Sequence, residues 1–165
     1  MIIAVILGIL AFIGAFVYFV SGVSGTAAPI KKYQCSVNVD QFIKGLRKYT
    51  ADHPDMTFNV TDTVGSQANG YAYYSDITMI KDGLHLEYSL EFENEVGMTS
   101  KVELVSALDL TNLSGGYRSG AHGIVVLVSY FDSNFLLGFQ KSQNIQLSPI
   151  KPTFLDPLKH WWTGD

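Results

Sequence analysis

The chain has 165 residues, a formal net charge of −4 and 47% hydrophobic residues, and nearly a quarter of its apolar weight is crowded into the first twenty positions. An acidic balance of 11 Lys plus Arg against 15 Asp plus Glu excludes the basic footprint of a nucleic-acid partner. One cysteine excludes an internal disulfide, and the roughly 140 residues after the apolar segment suffice for one domain with its own core.

From Ile2 to Val20 no charged, amide or hydroxyl side chain occurs except the phenol of Tyr18. At about 1.5 Å per residue such a helix is roughly 28 Å long, close to the ~30 Å hydrocarbon core of a bilayer. Three readings compete: a cleaved signal peptide, a retained anchor, and the buried helix of a filament subunit. A signal peptide wants a basic start and a core of about 7–15 residues, whereas no Lys or Arg precedes Lys31 and the core is longer. The expectation is a single membrane span over 1–20, in contact with membrane lipid. Gly8, Ala11 and Ala15 give it a small-residue face on which another helix can pack. Lys31 and Lys32 follow the span and none precede it, which orients the soluble domain to the cytoplasmic side, with the exported side as the alternative.

Residues 21–32, rich in Gly, Ser, Thr and Ala, read as a flexible linker. Tyr33, Cys35, Val37 and Val39 alternate with polar neighbours and predict a strand, with Cys35 as a small buried hydrophobe. Asp40 is placed to cap a helix whose apolar face is Phe42, Ile43, Leu46 and Tyr49, stopped by His53-Pro54. From Met56 the period becomes 2. Asp82-Gly83 between two alternating runs predicts a tight hairpin, and Leu84, Leu86, Tyr88, Leu90 and Phe92 predict a strand buried on one face. Val102, Leu104, Leu108 and Leu110 continue the alternation, with a helix as the rival over 101–110.

Residues 111–123, with four glycines, predict an irregular loop. Ile124 to Tyr130 predicts a buried central strand that turns back into FLLGFQ; a second span is rejected because Asp132 would lie near its middle. Residues 148–165 carry Pro149, Pro152 and Pro157 and end near His160-Trp161-Trp162, a tail expected to wrap the domain or dock on a partner. The fold class is therefore α+β: an N-terminal transmembrane helix, then a single domain over 33–147 with one helix packed on a mostly antiparallel meander.

No catalytic or metal constellation stands out. Asp52, His53 and Asp55 surround a helix-ending proline without a second histidine at i+4. His85 and Glu87 share a wet strand face with Glu91 and Glu93, ordinary solvated neighbours. The 114–120 loop lacks the Lys-Ser/Thr of a phosphate loop, and no nucleophile elbow occurs. Asn59-Val60-Thr61 and Asn112-Leu113-Ser114 match the glycosylation pattern, which matters only in a lumenal domain. What remains is aromatic density and the tail: Tyr71, Tyr73, Tyr74, Tyr117, Arg118, Trp161 and Trp162 are the candidate interaction residues. The reading is a non-catalytic accessory or structural subunit without a cofactor, binding other protein subunits through span, domain and tail. The alternatives are a pilin-like filament subunit, which lacks a glutamate at position 5 (Val5), and a tethered apolar-ligand-binding domain.

Overall fold

The computed structural model describes residues 29–62, 73–95, 97–117 and 120–151. The predicted span with Gly8, Ala11 and Ala15 lies outside them, as do Tyr71, Arg118, Trp161 and Trp162. Among the described residues no helix is long and apolar enough to cross a membrane. They belong to one compact unit, Pro29–Thr153.

The chain forms β1 (Lys31–Cys35), α1 (Val39–Ala51), β2 (Met56–Asp62), β3 (Tyr73–Lys81), β4 (Leu84–Asn94), β5 (Ser100–Asp109) and the short β6 (Ser114–Gly116). A helical stretch follows: α2 (Ile124–Tyr130), a π-helical turn (Phe131–Leu136) and α3 (Leu137–Gln143); β7 (Leu147–Ile150) closes the fold. The strands make one antiparallel sheet in the order β2-β3-β4-β5-β1-β7, with β6 beside the second half of β5. The α+β class and the antiparallel meander of β2 to β5 are as the sequence predicts. The helices pack on the face that carries Tyr33, Ile77, Met79, Tyr88, Leu90, Phe92, Val102 and Leu104.

Local chemistry explains most elements. The cap of α1 is Asn38 rather than Asp40: its side chain accepts the N–H of Gln41 at 3.0 Å, and Asp40 lies in the first turn, where the helix dipole favours an anion. The expected apolar face of α1 is buried, and Gly45 lies where Ile145 crosses, since a Cβ there would come within 2.9 Å of Ile145 Cδ1. His53 ends the helix usefully, its Nδ1 2.7 Å from Tyr49 O and its ring against that of Tyr49. Asp82 (φ 53°) and Gly83 (φ 78°) form the two-residue hairpin turn that their sequence demands.

Besides the cap, the strand predicted through Val37 and Val39 stops at Cys35, because Val39 opens α1, and three larger expectations are corrected. The strand alternation in β5 does not run through: Ser89 pairs with Ser106 but Leu90 with Leu104, so Val105 is an extra, bulged residue. Ala107 and Asp109, opposite Tyr88 and Leu86, take the core face, and Leu108 and Leu110 are turned to the other side. The loop 111–123 is not wholly irregular, because Ser114–Gly116 pairs with Ala107–Asp109 as β6. The largest correction is Ile124 to Gln143, which is helical, not two strands. Ile124, Leu127, Phe131, Phe135, Leu136 and Phe139 are buried, a helical stripe that outweighs the β propensity of the valines. Phe131, Phe135 and Phe139 stack in succession at 5.0 and 5.8 Å, and Tyr88 donates to Leu127 O at 3.1 Å to fix α2 on the sheet.

The π turn is held by side chains as well as backbone. Leu137 N–H bonds Asp132 O, the five-residue step of a π-helix. Ser133 Oγ donates to Ser129 O at 2.8 Å and Asn134 Nδ2 to Tyr130 O at 3.2 Å, so carbonyls at the widened turn keep partners.

Candidate interaction surface

The glycine-rich connection between β5 and α2 builds one end of the domain. It starts at Asp109, whose carboxylate accepts the N–H groups of Thr111 and Asn112, each at 2.9 Å, and Asn112 Nδ2 at 2.7 Å. These bonds, first among them the Asn112 side chain's, hold the carboxyl below its usual range. The turn they fix puts Leu113 at φ 52°, a left-handed conformation that a leucine rarely takes. Gly115 (φ 95°) is compelled twice over: by its backbone angle, and because a Cβ would collide with Ala107 O and lie 2.6 Å from Leu127 Cδ1. Gly115 N–H donates to His122 O at 2.8 Å, which closes the loop, and Gly123 abuts Ser114 as α2 begins.

The connection and the helix it leads into leave four apolar side chains exposed. Leu113 is 89% exposed, Tyr117 60%, Val125 73% and Val126 71%. The loop carries the first two and the first turn of α2 the others. Exposed apolar side chains recurring within one connection are candidates for an interaction surface.

Of the residues singled out by sequence, Tyr117 is one of these exposed side chains, 60% exposed. Tyr74 lies on the outer face of the sheet opposite Glu91, and its phenol is pushed up by burial, against the pull of a hydrogen bond with Ser89, and further up by Asp76, Glu91 and Tyr117. The fold therefore brings Tyr74 and Tyr117 within electrostatic reach of each other. Tyr73 occupies β3 opposite Phe92. Leu113, Val125 and Val126 were missed by sequence reasoning: valines in an apolar run look like core, and the signal that could have found them is the helical period of the buried residues between them.

Two polar groups also escaped the sequence. On the outer face Glu103 is only 3% exposed, with Lys101 at 2.7 Å and Lys32 at 3.2 Å. Glu91 beside it is no ordinary solvated acid: burial first, then Glu103, raise its carboxyl against the pull of Lys101. The second group is Asp132, whose carboxylate takes the Tyr33 hydroxyl at 2.7 Å and a salt bridge from Lys31. Desolvation, then the hydrogen bond to Asp132, drive the Tyr33 phenol far up. These three residues floor an open groove of about 230 Å³ walled by Leu136, Leu137 and Pro149. Their charges are satisfied by one another, which suits a structural clamp better than proton transfer.

The core between helices and sheet is tightly filled at its aromatic centre. The space between Phe42, Leu90, Phe131, Phe135 and Phe139 has no room for a water molecule, so it offers no pocket to an apolar ligand. Among the described residues no group of three or more His, Cys, Asp or Glu could hold a metal ion. Cys35 is buried, and that burial pushes its thiol up, away from the nucleophilic thiolate. No family model matches the chain, and comparison with curated proteins and with solved structures likewise returns no match.

Proposed function

We propose that this chain is a membrane-anchored, non-catalytic accessory subunit that docks on another protein through the end of its domain formed by Leu113, Tyr117, Val125 and Val126. The observation that carries the reading is the exposure of these four apolar side chains on one connection and the helix that follows it. Leu113 adds weight, because a leucine held at φ 52° and almost wholly in water contributes nothing to the domain's own core. Residues 1–20 would supply the anchor and lipid contact, with Gly8, Ala11 and Ala15 as a helix-packing face, and Trp161 and Trp162 of the tail further contacts. The bonds that fix the Asp109 turn favour a partner that meets a preformed surface, which lowers the ordering cost of binding.

The test uses the full-length chain in its native membranes with a photo-reactive amino acid at position 117 or 126. A discrete adduct to one other polypeptide is expected, and Leu113→Asp with Val126→Asp should remove it at least tenfold while the thermal unfolding transition is retained. If these positions yield no adduct above the level of an exposed polar position such as Lys44, the reading is wrong.

A further inference from the structure

The two edges of the sheet are treated in opposite ways. At β7 the backbone donors that point away from β1 belong to Leu147 and Pro149, since Ser148 and Ile150 are the residues bonded to β1. Leu147 N–H is taken at 2.8 Å by Gln140 Oε1, and proline has no N–H. That edge presents no free donor at these positions and is closed to a further strand.

At β2 the opposite holds. Ile80 N–H donates to Asp55 O at 2.7 Å, which sets the phase: Thr57 and Asn59 bond β3, whereas the N–H groups of Phe58 and Val60 point outward. Among the described residues neither has a partner. The strand has no Lys, Pro or charge from Met56 to Thr61, and its one bulge, at Thr61, lies past the outward donors of Phe58 and Val60. Phe58 and Val60 pack only partly against the core and present apolar surface beside the open backbone.

We infer that β2 pairs with β2 of a second copy, antiparallel about a two-fold axis through Asn59, and joins two sheets into one. In that register Phe58 N–H donates to Val60 O of the other copy and Val60 N–H to its Phe58 O, each bond twice by symmetry, so every outward donor of the stretch finds an acceptor. The choice of a second copy over a foreign strand rests on charge and closure. The stretch is uncharged, so two chains of net charge −4 meet here without opposing like charges, and nothing selects a partner of opposite sign. Because β7 is closed, such pairing stops at two copies instead of growing into a fibre. Only at the two rims do acids neighbour one another, position 62 of one copy beside position 55 of the other, and there salt screens them. This surface is β2, at the opposite edge of the β2-to-β5 meander from β6, so it stands or falls independently of the docking end.

The test is disulfide trapping in the full-length chain. Asn59 sits at a non-hydrogen-bonded position of the new pair, where cross-strand Cα atoms lie about 4.5 Å apart, within the roughly 4.4–6.8 Å that a disulfide spans. Thr57, two residues off the axis, would lie about 13 Å from its own copy. Under mild oxidation Asn59→Cys should give a species of twice the chain mass at least tenfold more abundant than Thr57→Cys gives, with the native Cys35 common to both. Adding Val60→Pro, which removes an outward donor but no bond to β3, should lower that yield at least tenfold. Equal trapping at 57 and 59 overturns the proposal, as does a product joined to a different polypeptide, which would mean that a foreign strand holds this edge.

Discussion

Asp132 concentrates what single residues do here. It is the lone acid in a long apolar run, and it serves to bind the π turn to β1 through Tyr33 and Lys31. Asp132→Ala leaves the buried Tyr33 hydroxyl without an acceptor, and the cost should be about 1–3 kcal/mol, read from the urea midpoint. Tyr33→Phe in the same background should recover part of it, because the orphaned group is then gone. Glu91 shows the reverse sign. Burial and Glu103 raise its carboxyl, so the folded state holds the proton more tightly than the unfolded state, whose value is near about 4.3. The stability tied to that proton is full below the unfolded value and is lost as pH rises through the folded one. Glu91→Gln should therefore raise the melting temperature at pH 7 and leave it nearly unchanged at pH 3; a destabilised variant at pH 7 would refute the assignment.

Elements were legible where one face is wet and the other dry. The α1 face and β4 could be read directly from their spacing, and Asp82-Gly83 named its own turn, because local chemistry and burial agree there. Legibility ended where an apolar residue is exposed. Val125 and Val126 fill the polar side of α2 with hydrophobes, which erases its period and makes a helix look like a core strand. Val105 erased a phase in the same manner, since a bulge adds one residue without changing composition. The candidate site was half visible: its glycines and Tyr117 could be found in the sequence, whereas the exposure of Leu113 depends on the Asp109 turn. The π turn is also an element-scale matter. Asn134→Ala removes a partner of Tyr130 O, and the expected loss is about 1 kcal/mol, measurable by chemical denaturation; no change would mean that water replaces the amide fully.

For the molecule as a whole, the β6 connection and the β2 edge lie on different parts of the fold, so a pair of chains joined at β2 would present the proposed docking residues twice. The interior position of β1 has a consequence for synthesis. Among the described strands β1 is made first, yet its first neighbour, β5, arrives about seventy residues later and its second, β7, near the end of the described chain. Contacts so distant along the chain close slowly, so the meander from β2 to β5 can assemble while β1 waits. A nascent polypeptide still short of Leu147 would hold the Lys32 and Gln34 backbone unpaired on one side, a template for wrong strands that the ribosome's next few residues remove.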